Sequence, residues 1–155
     1  TDLNNNNIFR YNEHSNISSL DPIFSSTVRN IWPVNQIFNG LVQLDDSLNI
    51  KPDLAKKWDI SDDGLNYIFN IKKNIFFHKS NIFGADSTRT VNAYDFEYSF
   101  NRLKSPELSS PGSWVLNNVD QYKAINDSLF SISLKKPFAA FIGILSMKYC
   151  SVVPR

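Results

Sequence analysis

The chain has 155 residues, with 16 Lys+Arg against 15 Asp+Glu, 42% hydrophobic and 14% aromatic residues, and 1 Cys. A chain so near neutrality lacks the positive field that gathers phosphate backbones, which argues against nucleic acid as a partner. Its 12 Phe, 6 Tyr and 3 Trp supply bulk for a core, so a disordered tail or a fibre is excluded and one ordinary globular domain is expected.

A single thiol, Cys150, cannot close an internal disulfide, and its apolar surroundings (Met147 to Val153) predict a buried structural cysteine. His14 and His78 lie far apart with no second Cys near either, which fails every compact zinc spacing, and no metal site is expected. The longest apolar run, Phe138 to Leu145, is too short to cross a bilayer. No basic-then-apolar segment opens the sequence, so an export signal is expected to have been removed or never to have been there.

In chain order, the Asn-rich residues 1–7 are expected to fray, and Ile8-Phe9-Arg10-Tyr11 has the β-branched and aromatic content of a first strand. Ser18 to Pro22 carries turn chemistry. Trp32-Pro33 predicts a helix start, with Val34, Ile37, Phe38 and Leu41 at helical spacing and Gly40 as its stop. Leu41 to Leu44 reads as a short strand, and Asp53 to Lys57 as a helical turn after Pro52. The clearest strand follows the Asp62-Asp63-Gly64 turn, where Leu65, Tyr67, Phe69 and Ile71 alternate along one face. Ile75 to His78 is expected as its partner strand, with His78 a strand-end residue rather than a catalyst.

The best helix starts at Asn92, whose side chain can cap free amides, with Asp95 placed to favour the helix dipole. Ala93, Phe96, Phe100 and Leu103 stack on its inner face. Ser109 to Ser113 is a loop of small residues leading to Trp114. Phe130, Ile132 and Leu134 alternate as another strand, Pro137 is expected to open an apolar helix through Leu145, and Tyr149 to Val153 reads as strand-like.

The 5 glycines, at 40, 64, 84, 112 and 143, are too dispersed for a phosphate cradle. The nucleophile elbow Gly-x-Ser-x-Gly does not occur. Asp45-Asp46 and Asp62-Asp63 pair carboxylates inside turn signals, where the backbone-bonding habit of Asp explains them without catalysis. Two loops remain unusual: Ile23 to Arg29, and Ser109 to Asn118 with Trp114. Both combine small polar groups with an apolar or aromatic anchor, as a binding cleft does, although Trp114 could equally fill a gap in the core.

The order Ser-Leu-Asp21-Pro22, Phe38-Asn39-Gly40-Leu41-Val42 and Leu54-Ala55-Lys56-Lys57-Trp58 resembles the bacterial extracellular solute-binding proteins of peptide ABC transporters, family 5. The stretch from Trp58 to Lys73 resembles the family signature, Val91 to Arg102 its next helix, and Lys135 to Phe138 with Val152 to Pro154 the segment that closes the region. Asn66 departs from the usual Thr or other small or apolar residue, and Phe77-His78-Lys79-Ser80 replaces a common Phe-His-Asp-Gly turn.

The resemblance implies a mixed α/β, periplasmic-binding-protein-like fold, as part of the first lobe of a two-lobed protein of several hundred residues. Residues 1–40 would begin the main first-lobe sheet and residues 41–155 would form a smaller mixed subdomain, with the second lobe outside this chain. It implies a ligand-binding role for Ser26, Thr27, Val28, Arg29 and Trp114, with a peptide gripped through its main chain, no cofactor and no chemistry on the ligand. The expected partners are a peptide and the permease subunits of an ABC importer, the expected state a monomer, and the expected location the periplasm or a lipid-anchored outer surface. A nickel complex, haem or an oligosaccharide is the alternative ligand within the family. A secreted hydrolase or a scaffold protein is the alternative outside it, for which no nucleophile-base pair can be placed.

Overall fold

The computed structural model describes residue 12 and residues 15–155. The expected strand Ile8–Tyr11, the Asn-rich stretch before it and His14 lie outside the described residues. The chain folds as α1 (Val28–Ile37), β1 (Val42–Leu44), β2 (Ile50–Pro52), β3 (Ala55–Ile60), β4 (Asn66–Ile71), α2 (Ala93–Lys104), β5 (Val119–Asn126), β6 (Leu129–Leu134) and α3 (Phe141–Ile144). Short 3-10 turns at Pro22–Phe24, Asn81–Asp86, Ser113–Leu116 and Lys148–Cys150 connect them.

The main sheet is antiparallel, in the order β3-β4-β6-β5. Its inner face follows directly from period-two patterning: Tyr67, Phe69 and Ile71 of β4 and Phe130, Ile132 and Leu134 of β6 are all buried. Helix α2 covers this face with Phe96, Phe100 and Leu103, and Phe130 lies 5.9 Å from the Phe96 ring and edge-on to Phe100 at 5.4 Å. Burying one such ring contributes about 1.5–3 kcal/mol. Asn92 caps the start of α2 as expected, and the Asp95 carboxylate accepts the Asn92 amide in return, which completes a reciprocal capping box. Gly64 takes φ +68° in the β3–β4 turn, a conformation that side chains resist.

Several expectations are corrected. Helix α1 begins at Val28 and carries Pro33 inside it rather than at its start, and it ends at Ile37, before Gly40. Asp53 to Lys57 is no helical turn: the Leu54 and Ala55 amides donate to the Gly40 and Leu41 carbonyls, and Lys57 pairs with Asn70 of β4. Long-range pairing here overrides the helix propensity of the lysines. Ile75 to His78 is not a partner strand, because β4 already has β3 on one edge and β6 on the other, leaving only a single bridge from Phe76 to Thr90.

The helix expected from Pro137 shrinks to α3, where Gly143 disfavours a longer helix and Ser146 Oγ donates to the Gly143 carbonyl at 2.7 Å. Tyr149 to Val153 forms a turn and then an extended segment held by single bonds, Val152 N to the Asn39 carbonyl at 2.9 Å and Val153 N to Ser99 Oγ at 2.9 Å. Among the described residues no helix is long and apolar enough to cross a membrane.

Candidate functional site

The loop that leads into α1 is built on Asp21-Pro22. The Asp21 carboxylate accepts the Ile23 amide at 3.3 Å, and Pro22, which has no N–H to satisfy, opens the 3-10 turn. The same carboxylate receives both prongs of the Arg102 guanidinium, from the last turn of α2, at 3.1 and 2.6 Å. That pairing raises the Arg102 pKa still further and keeps the fork charged.

Ile23 is buried, and its carbonyl accepts Ser110 Oγ at 2.6 Å. Asn30, also buried, donates through Nδ2 to Ser18 Oγ at 2.9 Å and accepts the Ser18 amide at 3.2 Å, which pins the strap before the loop. On this anchored base Ser26, Thr27, Val28 and Arg29 are all exposed, Val28 to 67%. Thr27 is extended (φ −122°, ψ 151°), and its hydroxyl makes no capping bond to α1. Ser25 lies beneath them at 1% exposure, and its Oγ is the buried side-chain polar atom without a hydrogen-bond partner among the described residues.

The second loop turns at Ser109, whose φ of +48° is unusual for a residue with a side chain. Ser110 then accepts the Gly112 amide at 3.1 Å. A Cβ on Gly112 would run into the Tyr149 ring, so only glycine lets the loop lie flat against that aromatic face. Val115 and Leu116 occupy the core, whereas Trp114 remains 47% exposed. Filling a core gap is therefore not its role.

The structure thus ties the two loops together at their bases, through Ser110 and Ile23. Arg29 is joined to no acidic side chain among the described residues. The ties themselves, Asp21 to Arg102 and Ser110 to Ile23, could not be read from the sequence; Asp-Pro and Ser-Pro-Gly signal turns, but not what those turns hold.

Elsewhere the candidate chemistry is structural. The Asn49 amide and other donors hold the Asp45 carboxyl below its usual range, and the Ser61 hydroxyl does the same for Asp63; each closes a turn. Cys150 is buried in the core, which pushes its thiol up to about 12 and leaves it protonated and inert at neutral pH. His78 sets Nε2 3.3 Å from the carbonyl of Ile37, the last residue of α1. A polar groove at the start of α2 is lined by Lys72, Lys73, Thr90, Asn92 and Asp127, and a second runs past Tyr94, Glu97, Tyr98 and Asn101; neither includes the exposed residues of the two loops.

The chain resembles one group of known proteins. The profile of the bacterial extracellular solute-binding proteins, family 5 Middle, matches residues 49–154. Heme-binding protein A of Haemophilus influenzae is 33% identical over 132 residues, 76% of this chain and 23% of that protein. The glutathione-binding protein GsiB of Salmonella choleraesuis is 28% identical over 132 residues, 85% of this chain and 24% of that protein. The periplasmic binding protein DppA of Helicobacter pylori, solved with the peptide STSA, superposes with a TM-score of 0.79 at 27% identity, covering 89% of this chain and 29% of that one. The chain therefore spans about a quarter of the length of the curated relatives it matches.

Proposed function

Because the chain belongs to the bacterial extracellular solute-binding proteins, family 5, we propose that it forms one wall of a peptide-binding cleft in the solute-capturing component of an ABC importer. Residues 1–40 would start the main sheet of the first lobe and residues 41–155 would form its smaller subdomain, the opposing lobe belonging to another part of the same protein. The protein works outside the inner membrane, in the periplasm or on a lipid anchor, and hands its ligand to permease subunits without altering it.

The observation that carries this reading is the exposure of Ser26, Thr27, Val28, Arg29 and Trp114 on a base joined by Ser110 and Ile23. The backbone at Thr27 is extended; its carbonyl already accepts the Asn30 and Ile31 amides, so the main-chain group it would offer a peptide is its amide, a contact independent of side-chain sequence. Trp114 supplies an apolar face, and Arg29 a cation for a carboxylate. Similarity to a glutathione-binding protein and to a structure holding STSA supports short peptides as the ligand class.

Haem is the second reading, favoured by the 33% identity to heme-binding protein A. Calorimetric titration of the full-length protein with the peptide Ser-Thr-Ser-Ala and, separately, with haem tests the proposal. Peptide binding that weakens on Trp114→Ala supports it; haem binding with no peptide affinity refutes it.

A further inference from the structure

The Ser26–Arg29 segment and Trp114 belong to distant stretches of chain, and one buried hydroxyl joins the loops that carry them. We infer that Ser110 is a positioning residue, setting the spacing between the extended backbone at Thr27 and the indole of Trp114, and so the fit of a ligand laid across both. The inference rests on the peptide-binding reading above.

A serine hydroxyl has one proton to donate and lone pairs to accept. Ser110 uses both functions, donating to the Ile23 carbonyl at 2.6 Å and accepting the Gly112 amide at 3.1 Å. Its rotamer is therefore determined by two partners on opposite loops. The residue before it, Ser109, adopts φ +48°, a strained turn that delivers Ser110 inward. The residue after next, Gly112, lies against Tyr149 so closely that the loop has no slack on that side.

On the other loop, Ile23 is buried and Asp21 is held by Arg102. Each loop is thus fixed to the body of the protein, and Ser110 supplies the hydrogen bond that fixes them to each other. Without it the Ile23 carbonyl loses that donor, the turn before Trp114 gains freedom, and a ligand must order the wall as it binds.

The test uses full-length protein labelled with 5-fluorotryptophan, the Trp114 resonance being identified by Trp114→Phe. Ser110→Ala is expected to broaden or split the Trp114 resonance while leaving that of Trp58 in place, and to weaken the Kd for Ser-Thr-Ser-Ala by roughly five- to tenfold. Ser110→Thr, which keeps the hydroxyl, is expected to restore both. If the alanine variant does not fold, Ser110→Cys, with similar volume and a weaker donor, is expected to show the same changes to a smaller extent.

A Trp114 resonance identical to that of the unsubstituted protein overturns the inference, as does an unchanged Kd, or a shift shared equally by Trp58. Failure of the unsubstituted protein to bind any peptide contradicts the functional reading alone; the Trp114 resonance then still decides whether Ser110 sets the geometry.

Discussion

Asp21 and Arg102 stand 81 residues apart and meet through two hydrogen bonds, of 3.1 and 2.6 Å, between carboxylate and guanidinium. Two parallel bonds need the planar fork of arginine, which lysine cannot reproduce. Arg102→Lys keeps the charge and loses the fork, so it is expected to cost about 1 kcal/mol of unfolding free energy in urea denaturation. A double-mutant cycle with Asp21→Asn should give a coupling energy of similar size. Simple additivity would mean that the pair does not anchor the loop.

Asp95 is 1% exposed and accepts four N–H groups, two from Arg89 and one each from the amides of Asn92 and Arg155. Asp95→Asn keeps the shape and removes the charge opposite Arg89. Breaking such a pair from one side is expected to cost about 3 kcal/mol in chemical denaturation. A loss near zero would show that the capping bonds, which asparagine can retain in part, carry the site.

Gly112→Ala drives a methyl group into the Tyr149 ring, which already occupies the space a Cβ would need. The expected destabilisation is about 2 kcal/mol, as for overpacking of a filled core. Combining it with Tyr149→Ala should recover part of the loss. Thermal unfolding of the three variants checks this, and a neutral Gly112→Ala would contradict the close contact.

Burial pushes the Cys150 thiol from 9.0 up to about 12. Between these values the unfolded chain has released the proton and the folded chain retains it, so folding loses stability as pH rises. The expected slope is about −1.4 kcal/mol per pH unit above pH 9. Burial raises Tyr67, Tyr122 and Tyr149 as well and adds to the slope. The difference between the native protein and Cys150→Ala isolates the thiol, and identical alkaline profiles would contradict its burial.

Trp114 is 47% exposed, so Trp114→Ala is expected to cost only about 1 kcal/mol of unfolding free energy, less than the loss of a fully buried ring. In the full-length protein it should weaken peptide binding by roughly tenfold, as loss of an aromatic anchor does. Arg29→Ala should discriminate by ligand, weakening peptides with a free carboxylate more than their amides. Loss of stability without loss of affinity would return Trp114 to a packing role.

How far the sequence leads depends on whether the forces are local. Tyr67, Phe69 and Ile71 alternate because a half-buried strand requires it, and Asn92 caps the helix that follows it; both are legible. Lys56 and Lys57 mislead because their helix propensity is local, whereas the pairing that makes them a strand comes from β4 and from Gly40 and Leu41. Strand β5 escapes a reading by pattern because Asp120, Gln121, Lys123 and Asn126 hide its alternation at the sheet edge.

The candidate site divides in the same way. The resemblance offers Ser26 to Arg29 and Trp114 as ligand-facing, and what the structure adds is that all five are exposed. The device beneath them is not legible, because Ser110 and Ile23 are 87 positions apart and nothing in either neighbourhood names the other.

Peptide capture is tested most directly by native mass spectrometry of the full-length protein, purified without added ligand. A heterogeneous set of short peptides released from the protein is the expected result. A single non-peptide compound such as haem, or products of turnover, would contradict it.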